Sequence, residues 1–357
     1  MDEKIDSQFI KGRGAQFNPV NPFSSEIKEH SHEEYIDPDN PNYKTRYLET
    51  FPKTIINKVP SPDVPMNFGI NPYQGCEHGC VYCFARNTHP FWGYSAGIDF
   101  EQMILTKMNA VQLLKKELSA RSWKGDPVMF SGNTDCYQPI EKKLELTREL
   151  LRVFLEFRNP VGLVTKNKLL LRDLDIIKEL NHHNLVQVAV SINTLDDGLR
   201  QKLEPRASST QARLELIEQL SNANIPVKVL LAPIIPGLND TEVFKLVEEV
   251  ANRGALSASH IIVRLNGDIK AIFEDWLEKI FPYRKQKVMN LIAATHGGKH
   301  NDSRFGTRMR GEGKYVEVIH QQVAMAKQKF MPNRKLPEFD LTAFGKRRNP
   351  QMSLFSF

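Results

Sequence analysis

The spacing of apolar residues changes character at residue 66. Ahead of it, residues 1–60 are polar, proline-punctuated and without a sustained repeat. Gly12-Arg13-Gly14-Ala15 followed by Asn18-Pro19-Val20-Asn21-Pro22-Phe23 fits either an arm laid over a surface or a disordered leader. Beyond residue 66, short β-rich runs at 66–70, 127–131, 161–166, 186–193, 227–235 and 260–265 alternate with helical patterns. Leu146, Leu150, Val153 and Phe157 recur at helical spacing, as do Leu170, Leu174 and Ile177, and Leu214, Ile217 and Leu220. Asn239-Asp240-Thr241-Glu242 reads as a helix start closed by a capping box.

Strands separated by helices imply parallel βα units joined by right-handed crossovers. Apolar runs with little alternation imply strands covered on both faces. Six units fall short of a closed eight-stranded barrel, so the expected fold class is α/β, a partial open (β/α)6 barrel of the TIM type over residues 61–268. Residues 1–60 form an N-terminal extension and 269–330 a helical one around a glycine- and arginine-rich loop at 295–315. Residues 331–357 read as a flexible tail, basic at Lys346-Arg347-Arg348.

No stretch approaches the ~20 apolar residues that span a bilayer, and Met1-Asp2-Glu3-Lys4 lacks the basic-then-apolar run of a secretory signal. Four cysteines, three of them bunched, make no disulfide framework, so a reducing, cytoplasmic setting is expected. The net charge of +6 and pI near 9.0 permit a polyanionic partner without requiring one.

Candidate chemistry centres on Cys76-Glu77-His78-Gly79-Cys80-Val81-Tyr82-Cys83. Three thiolates on one loop can hold three corners of a [4Fe–4S] cube and leave the fourth iron open; a zinc loop borrowing His78 or His89 is the alternative. Cys-x3-Cys-x-aromatic-Cys resembles the signature of the radical S-adenosylmethionine (radical SAM) enzymes, over residues 67–265. The resemblance implies a [4Fe–4S] cluster on Cys76, Cys80 and Cys83, S-adenosylmethionine as second cofactor, and an electron donor such as flavodoxin or ferredoxin. It places Tyr82 near the adenine and Ser131, Asn133 and Asp135 against the methionine amino group, unless that segment is a simple polar turn. Lys166, or alternatively Arg206, would meet the methionine carboxylate, and Ser191 or Asn193 a ribose hydroxyl. Ile235 and Gly237 would lie along adenine, although a helix-entry turn explains the same residues.

Asn71-Pro72-Tyr73-Gln74-Gly75 and Tyr137-Gln138-Pro139-Ile140-Glu141 resemble uncharacterised bacterial radical SAM proteins related to spore photoproduct lyase, the enzyme that reverts a thymine–thymine lesion in DNA. That resemblance implies a lyase-like reaction in DNA repair or base modification. Cys136 is then a candidate hydrogen donor, or an ordinary buried cysteine. Arg304, Arg308 and Arg310 stand in a loop suited to phosphates and a stacked base, or to a surface role. The terminal Gln351, Met352, Leu354 and Phe355 resemble the peptide by which bacterial repair proteins dock on the DNA sliding clamp, or they fold back on the chain's own domain. Enzymes acting on RNA or protein, and a non-catalytic metal-stabilised clamp adaptor, are the competing expectations.

Overall fold

The computed structural model describes residues 9–23 and 44–345; Gln351, Met352, Leu354 and Phe355 lie outside the described residues. Ten strands are present among them: β1 (Arg46–Thr50), β2 (Ile56–Lys58), β3 (Phe68–Ile70), β4 (Tyr73–Gln74), β5 (Met103–Lys107), β6 (Val128–Phe130), β7 (Val161–Thr165), β8 (Val186–Ser191), β9 (Val227–Ile234) and β10 (Ser257–Ile262). Six run parallel in the order β10-β9-β8-β7-β6-β3, with β2 added antiparallel on the outer edge of β3. The sheet does not close, and this is the expected partial barrel of the TIM type. β1, β5 and β4 make a second, three-stranded sheet.

Helices Leu146–Phe157, Leu174–His182, Thr210–Asn222 and Val243–Asn252 follow β6, β7, β8 and β9. Their apolar stripes meet Val186, Val188, Val227, Val229 and Leu231 in one continuous core. Alternate positions over most of β8 and β9 (Gln187, Ala189, Lys228, Leu230 and Ala232) are only half buried and turn away from those helices. Coverage on both faces therefore fails here, because an incomplete barrel is not filled by its own side chains.

Three other expectations change, in residues 1–60, in the tail and in the capping box. Residues 1–60 contribute β1 and β2, strands too short and too polar to show a period. Residues 9–23 are the ordered wrap, one of the two readings expected for them. Part of the expected tail is bound: Arg334 Nη1 donates 2.8 Å to the carbonyls of Ala251 and Ala255, Gln187 Nε2 donates to Pro337 O, and Gly345 N to Phe157 O. Residues 331–345 thus cross the amino-end face of the barrel, leaving the carboxyl-end face to the loops. Nor does the capping box form. Asn239 Oδ1 accepts from Ile235 N and its Nδ2 donates to Asn193 O, while Glu242 accepts from Thr194 Oγ1 and Leu195 N. These long-range bonds outcompete the local pair.

The 295–313 loop spans the open edge. Met309 O accepts from Ile262 N of β10, and Arg308 Nε reaches Asp63 at 2.5 Å on the segment entering β3.

Candidate active site

The cysteine loop leaves β4 at the carboxyl end of the parallel strands. Cys76 and Cys80 are buried, Cys83 is half buried, and all three are free thiols. Burial pushes the Cys76 thiol well up, Asp135 adds to it, and the neighbouring Cys80 and Cys83 charges add further. Cys80 is pushed up to about 12, by burial first and then by Glu204. The three sulfurs therefore share one electrostatic neighbourhood. Among the described residues, no group of three or more His, Cys, Asp or Glu side chains is already arranged to hold a metal ion. The chemistry of the donor set is the test of fit. Three soft thiolates suit the irons of a cluster and leave one position for an outside group. The zinc alternative loses its fourth ligand. Asn167 Nδ2 donates to His78 Nε2 at 3.3 Å while His78 Nδ1 faces Asp135 at 3.4 Å; His89, fully buried against Tyr94 and Phe100, forms no metal-holding group with the cysteines among the described residues.

Successive strands deliver the other candidates to the same rim. After β6, Ser131 takes a left-handed backbone (φ 69°) and its Oγ accepts from Cys136 N at 2.7 Å. Asn133 Nδ2 lies within 3.4 Å of Gln74 Oε1 and Thr88 Oγ1, knitting the segment to the cysteine loop. Asp135 accepts from Thr165 Oγ1, Lys166 N and Tyr137 N. Burial alone would raise its pKa, but His78 and these donors hold it down at about 2. It is an anion already satisfied by protein.

Lys166, after β7, has no carboxylate within 4.0 Å among the described residues. Desolvation disfavours its charge, yet Cys80 and Glu204 outweigh that and raise its pKa, so the ammonium stays charged beside the cysteine loop. After β8, Ser191 and Asn193 are buried. Asn193 Nδ2 sits 3.4 Å from the Tyr82 hydroxyl, while its Oδ1 is buried without a partner. A buried acceptor left open costs free energy unless a ligand donor fills it, as a ribose hydroxyl would.

Tyr82 donates its hydroxyl to Glu204, which also receives Arg213. Arg213 Nη1 donates to Ser191 O at 3.0 Å. Glu204 and Arg213 are both buried, and reading the sequence missed this pair; Glu204-Pro205-Arg206 was the signal, with the wrong member chosen. Arg206 is exposed, 3.7 Å from Glu77 and 3.4 Å from Thr45 Oγ1, so its guanidinium points away from the carboxylate role; its backbone N–H instead donates to His78 O. Glu77 was missed too: it accepts from Tyr47 Oη and Ile140 N, holding the cysteine loop from the β1 side.

Three further candidates take the following places. Gly237 (φ 83°) is a turn glycine whose added Cβ would meet Leu291 at 3.0 Å, so a helix approaches it. Ile235 is buried in the same apolar cluster as Tyr82 and Cys80. Cys136 has no exposed surface; it packs in the main core, and its carbonyl accepts from Thr147 Oγ1 at 2.7 Å. Burial pushes its thiol well up. The ordinary-cysteine reading is the one that fits. In the 295–313 loop, Arg304 is spent on Asp302 and Glu312 and Arg308 on Asp63 and Ser61, and Arg310 alone of the three is exposed without an ion pair among the described residues.

The family model for the radical SAM superfamily matches residues 70–250, from β3 through the helix after β9. The chain belongs to the radical SAM superfamily. An uncharacterized protein of Mycobacterium tuberculosis is 33% identical over 239 residues, 66% of this chain and 70% of that one. A radical SAM Nα-GlyT isomerase of Pseudomonas phage M6 is 27% identical over 195 residues, covering 54% of this chain and 38% of the isomerase. Spore photoproduct lyase, solved with a dinucleoside spore photoproduct, superposes with a TM-score of 0.61 over 82% of this chain and 81% of its own, at 17% identity. As a radical SAM protein, the chain uses a [4Fe–4S] cluster and S-adenosylmethionine, and no helix among the described residues is long and apolar enough to cross a membrane.

Proposed function

We propose that this radical SAM enzyme acts on a nucleobase in DNA, in a lyase-like repair or base-modification reaction. The carrying observation is the likeness in fold, over four-fifths of both chains, to a lyase solved with a dinucleoside photoproduct. Cys76, Cys80 and Cys83 hold the cluster; Lys166 neutralises the methionine carboxylate; Asn193 Oδ1 accepts from a ribose hydroxyl.

Held by Cys76, Cys80 and Cys83, the cluster would supply, together with S-adenosylmethionine, the one-electron radical chemistry that takes a hydrogen from the substrate. The chain's own residues orient and exclude water. Glu204 fixes the Tyr82 ring through its hydroxyl and anchors β8 through Arg213. Asp135, held ionised, locks the ends of β6 and β7 through Thr165 and Lys166 N. A base within a duplex must be extruded to reach this rim, at a cost of roughly a few kcal/mol. No thiol donor is assigned, because Cys136 faces the core.

The internal pairing of Arg304 and Arg308 favours one second reading, a protein side chain as substrate, since only Arg310 of the three stays unpaired for phosphate. DNA carrying ultraviolet lesions, matched undamaged DNA and protein extract, each added to the anaerobically loaded enzyme with dithionite, separate the two. DNA, damaged for repair or undamaged for base modification, is expected to raise 5′-deoxyadenosine release; no rise with either DNA, against a rise with protein, would replace this reading by the second.

A further inference from the structure

The N-terminal wrap lies on the cysteine loop. A Cβ placed on Gly14 would stand 1.8 Å from Gly79 O and 3.2 Å from Val81 N, so the wrap touches backbone between two of the cluster ligands with no room for any side chain. Gly79 itself has φ 67°, and its own Cβ would meet Glu101 Oε2 at 2.8 Å. Glu101 fills the space between the two glycines. It is fully buried and accepts from Gly14 N at 3.1 Å, Ala15 N at 2.8 Å and Arg86 Nη2 at 2.5 Å. Arg86, also fully buried, spends its Nε on Cys80 O at 3.0 Å. One carboxylate thus ties the wrap, through a guanidinium, to the carbonyl of a ligand cysteine. The wrap is then sewn down further along: Ile98 N donates to Phe17 O, Asn18 and Asp99 exchange two bonds, and Ser95 Oγ donates to Pro19 O.

Burying a carboxylate and a guanidinium is expensive unless each is fully satisfied, and one fewer partner leaves an uncompensated charge. A surface arm needs no such arrangement to stay attached. What the network does fix is the path of residues 79–81, hence the positions of Cys80 and its neighbours.

We propose that residues 9–23 are a keeper of the cluster loop, with Glu101 and Gly14 as positioning residues that hold Cys80 in place for the iron. This rests on superfamily membership and is independent of the substrate. It predicts that weakening the keeper loosens the cluster without unfolding the barrel.

The test uses the full chain, anaerobically reconstituted, as the parent and as Glu101→Gln and Gly14→Val. Three quantities are read: iron release to a chelator, the electron paramagnetic resonance spectrum of the dithionite-reduced cluster, and the melting temperature of the cluster-free protein. Both variants are expected to release iron about tenfold faster, the usual scale for loss of an outer partner of a metal ligand. The spectrum should broaden. Cluster-free melting is expected to fall by several degrees in Glu101→Gln, because the change leaves the buried Arg86 uncompensated; Leu220→Ala, a core truncation on the helix after β8, is the control that lowers melting without touching the cysteine loop. Should Gly14→Val fail to fold, Glu101→Gln decides alone. Iron release at the parental rate overturns the proposal. So does equally fast release from Leu220→Ala, which makes the contact merely structural. A parent with no iron and sulfide would instead fault the cluster assignment itself.

Discussion

Removing the Glu204 carboxylate leaves Arg213 buried with its charge uncompensated and Tyr82 without its acceptor. Breaking a buried pair from one side typically costs about 3–5 kcal/mol. Glu204→Ala should therefore lower the unfolding free energy by an amount near that range, measured by denaturant titration; a loss under about 1 kcal/mol would mean that solvent reaches the pair. Lys166 makes a different prediction because no carboxylate among the described residues lies within 4.0 Å of it. Lys166→Met should weaken S-adenosylmethionine binding by about 10-fold or more while iron content stays unchanged. Equilibrium binding to the loaded protein checks it, and unchanged affinity removes Lys166 from the carboxylate role.

Between elements, β10 and the helix Lys314–Phe330 meet through His260 Nε2 and His320 Nδ1 at 2.6 Å. Burial is the first cause lowering the His260 pKa, to about 4, followed by His320, Arg310 and Lys327; burial and Arg310 lower that of His320. Both rings are thus neutral in the folded protein at pH 7. The unfolded chain takes up a proton near pH 6.5 and the folded one only near 4, so stability is lost as pH falls through that window. The loss should reach roughly 2 kcal/mol for His260 after screening. Melting temperature against pH reads it, and His260→Phe should flatten the slope; an unchanged slope would place the titration elsewhere.

Five of the six parallel strands were readable from the sequence as apolar runs; the sixth, expected at 260–265, runs Ser257–Ile262, because its polar Ser257-Ala258-Ser259-His260 start gives no apolar signal. The small sheet was not readable. β4 has two residues, and β1 pairs with β5 across more than fifty residues of chain, so no local signal marks them. The same divide holds at the site. The cysteines announced themselves by spacing, whereas Glu101, Arg86 and Arg213 look like ordinary surface charges until burial and long-range partners reveal them. Arg206 misled because a charged residue beside a strand end says nothing about which way its side chain turns.

At the scale of the whole molecule, the amino-end face of the barrel is crossed by residues 331–345 and the open edge by the 295–313 loop, so traffic is directed to the carboxyl-end rim. Beyond residue 345 the resemblance of Gln351, Met352, Leu354 and Phe355 to a clamp-docking peptide remains a proposal. A peptide covering residues 349–357 is expected to retain the DNA sliding clamp in a pull-down, and Leu354→Ala with Phe355→Ala to abolish it; equal retention by both peptides would dismiss the motif. The central claim, a radical enzyme that takes hydrogen from a DNA base, is tested most directly by mass spectrometry of the 5′-deoxyadenosine formed from unlabelled S-adenosylmethionine and ultraviolet-damaged DNA deuterated in its thymines. Deuterium in the 5′-deoxyadenosine is the predicted result; product formed in quantity with no deuterium, the label remaining wholly in the DNA, would contradict it.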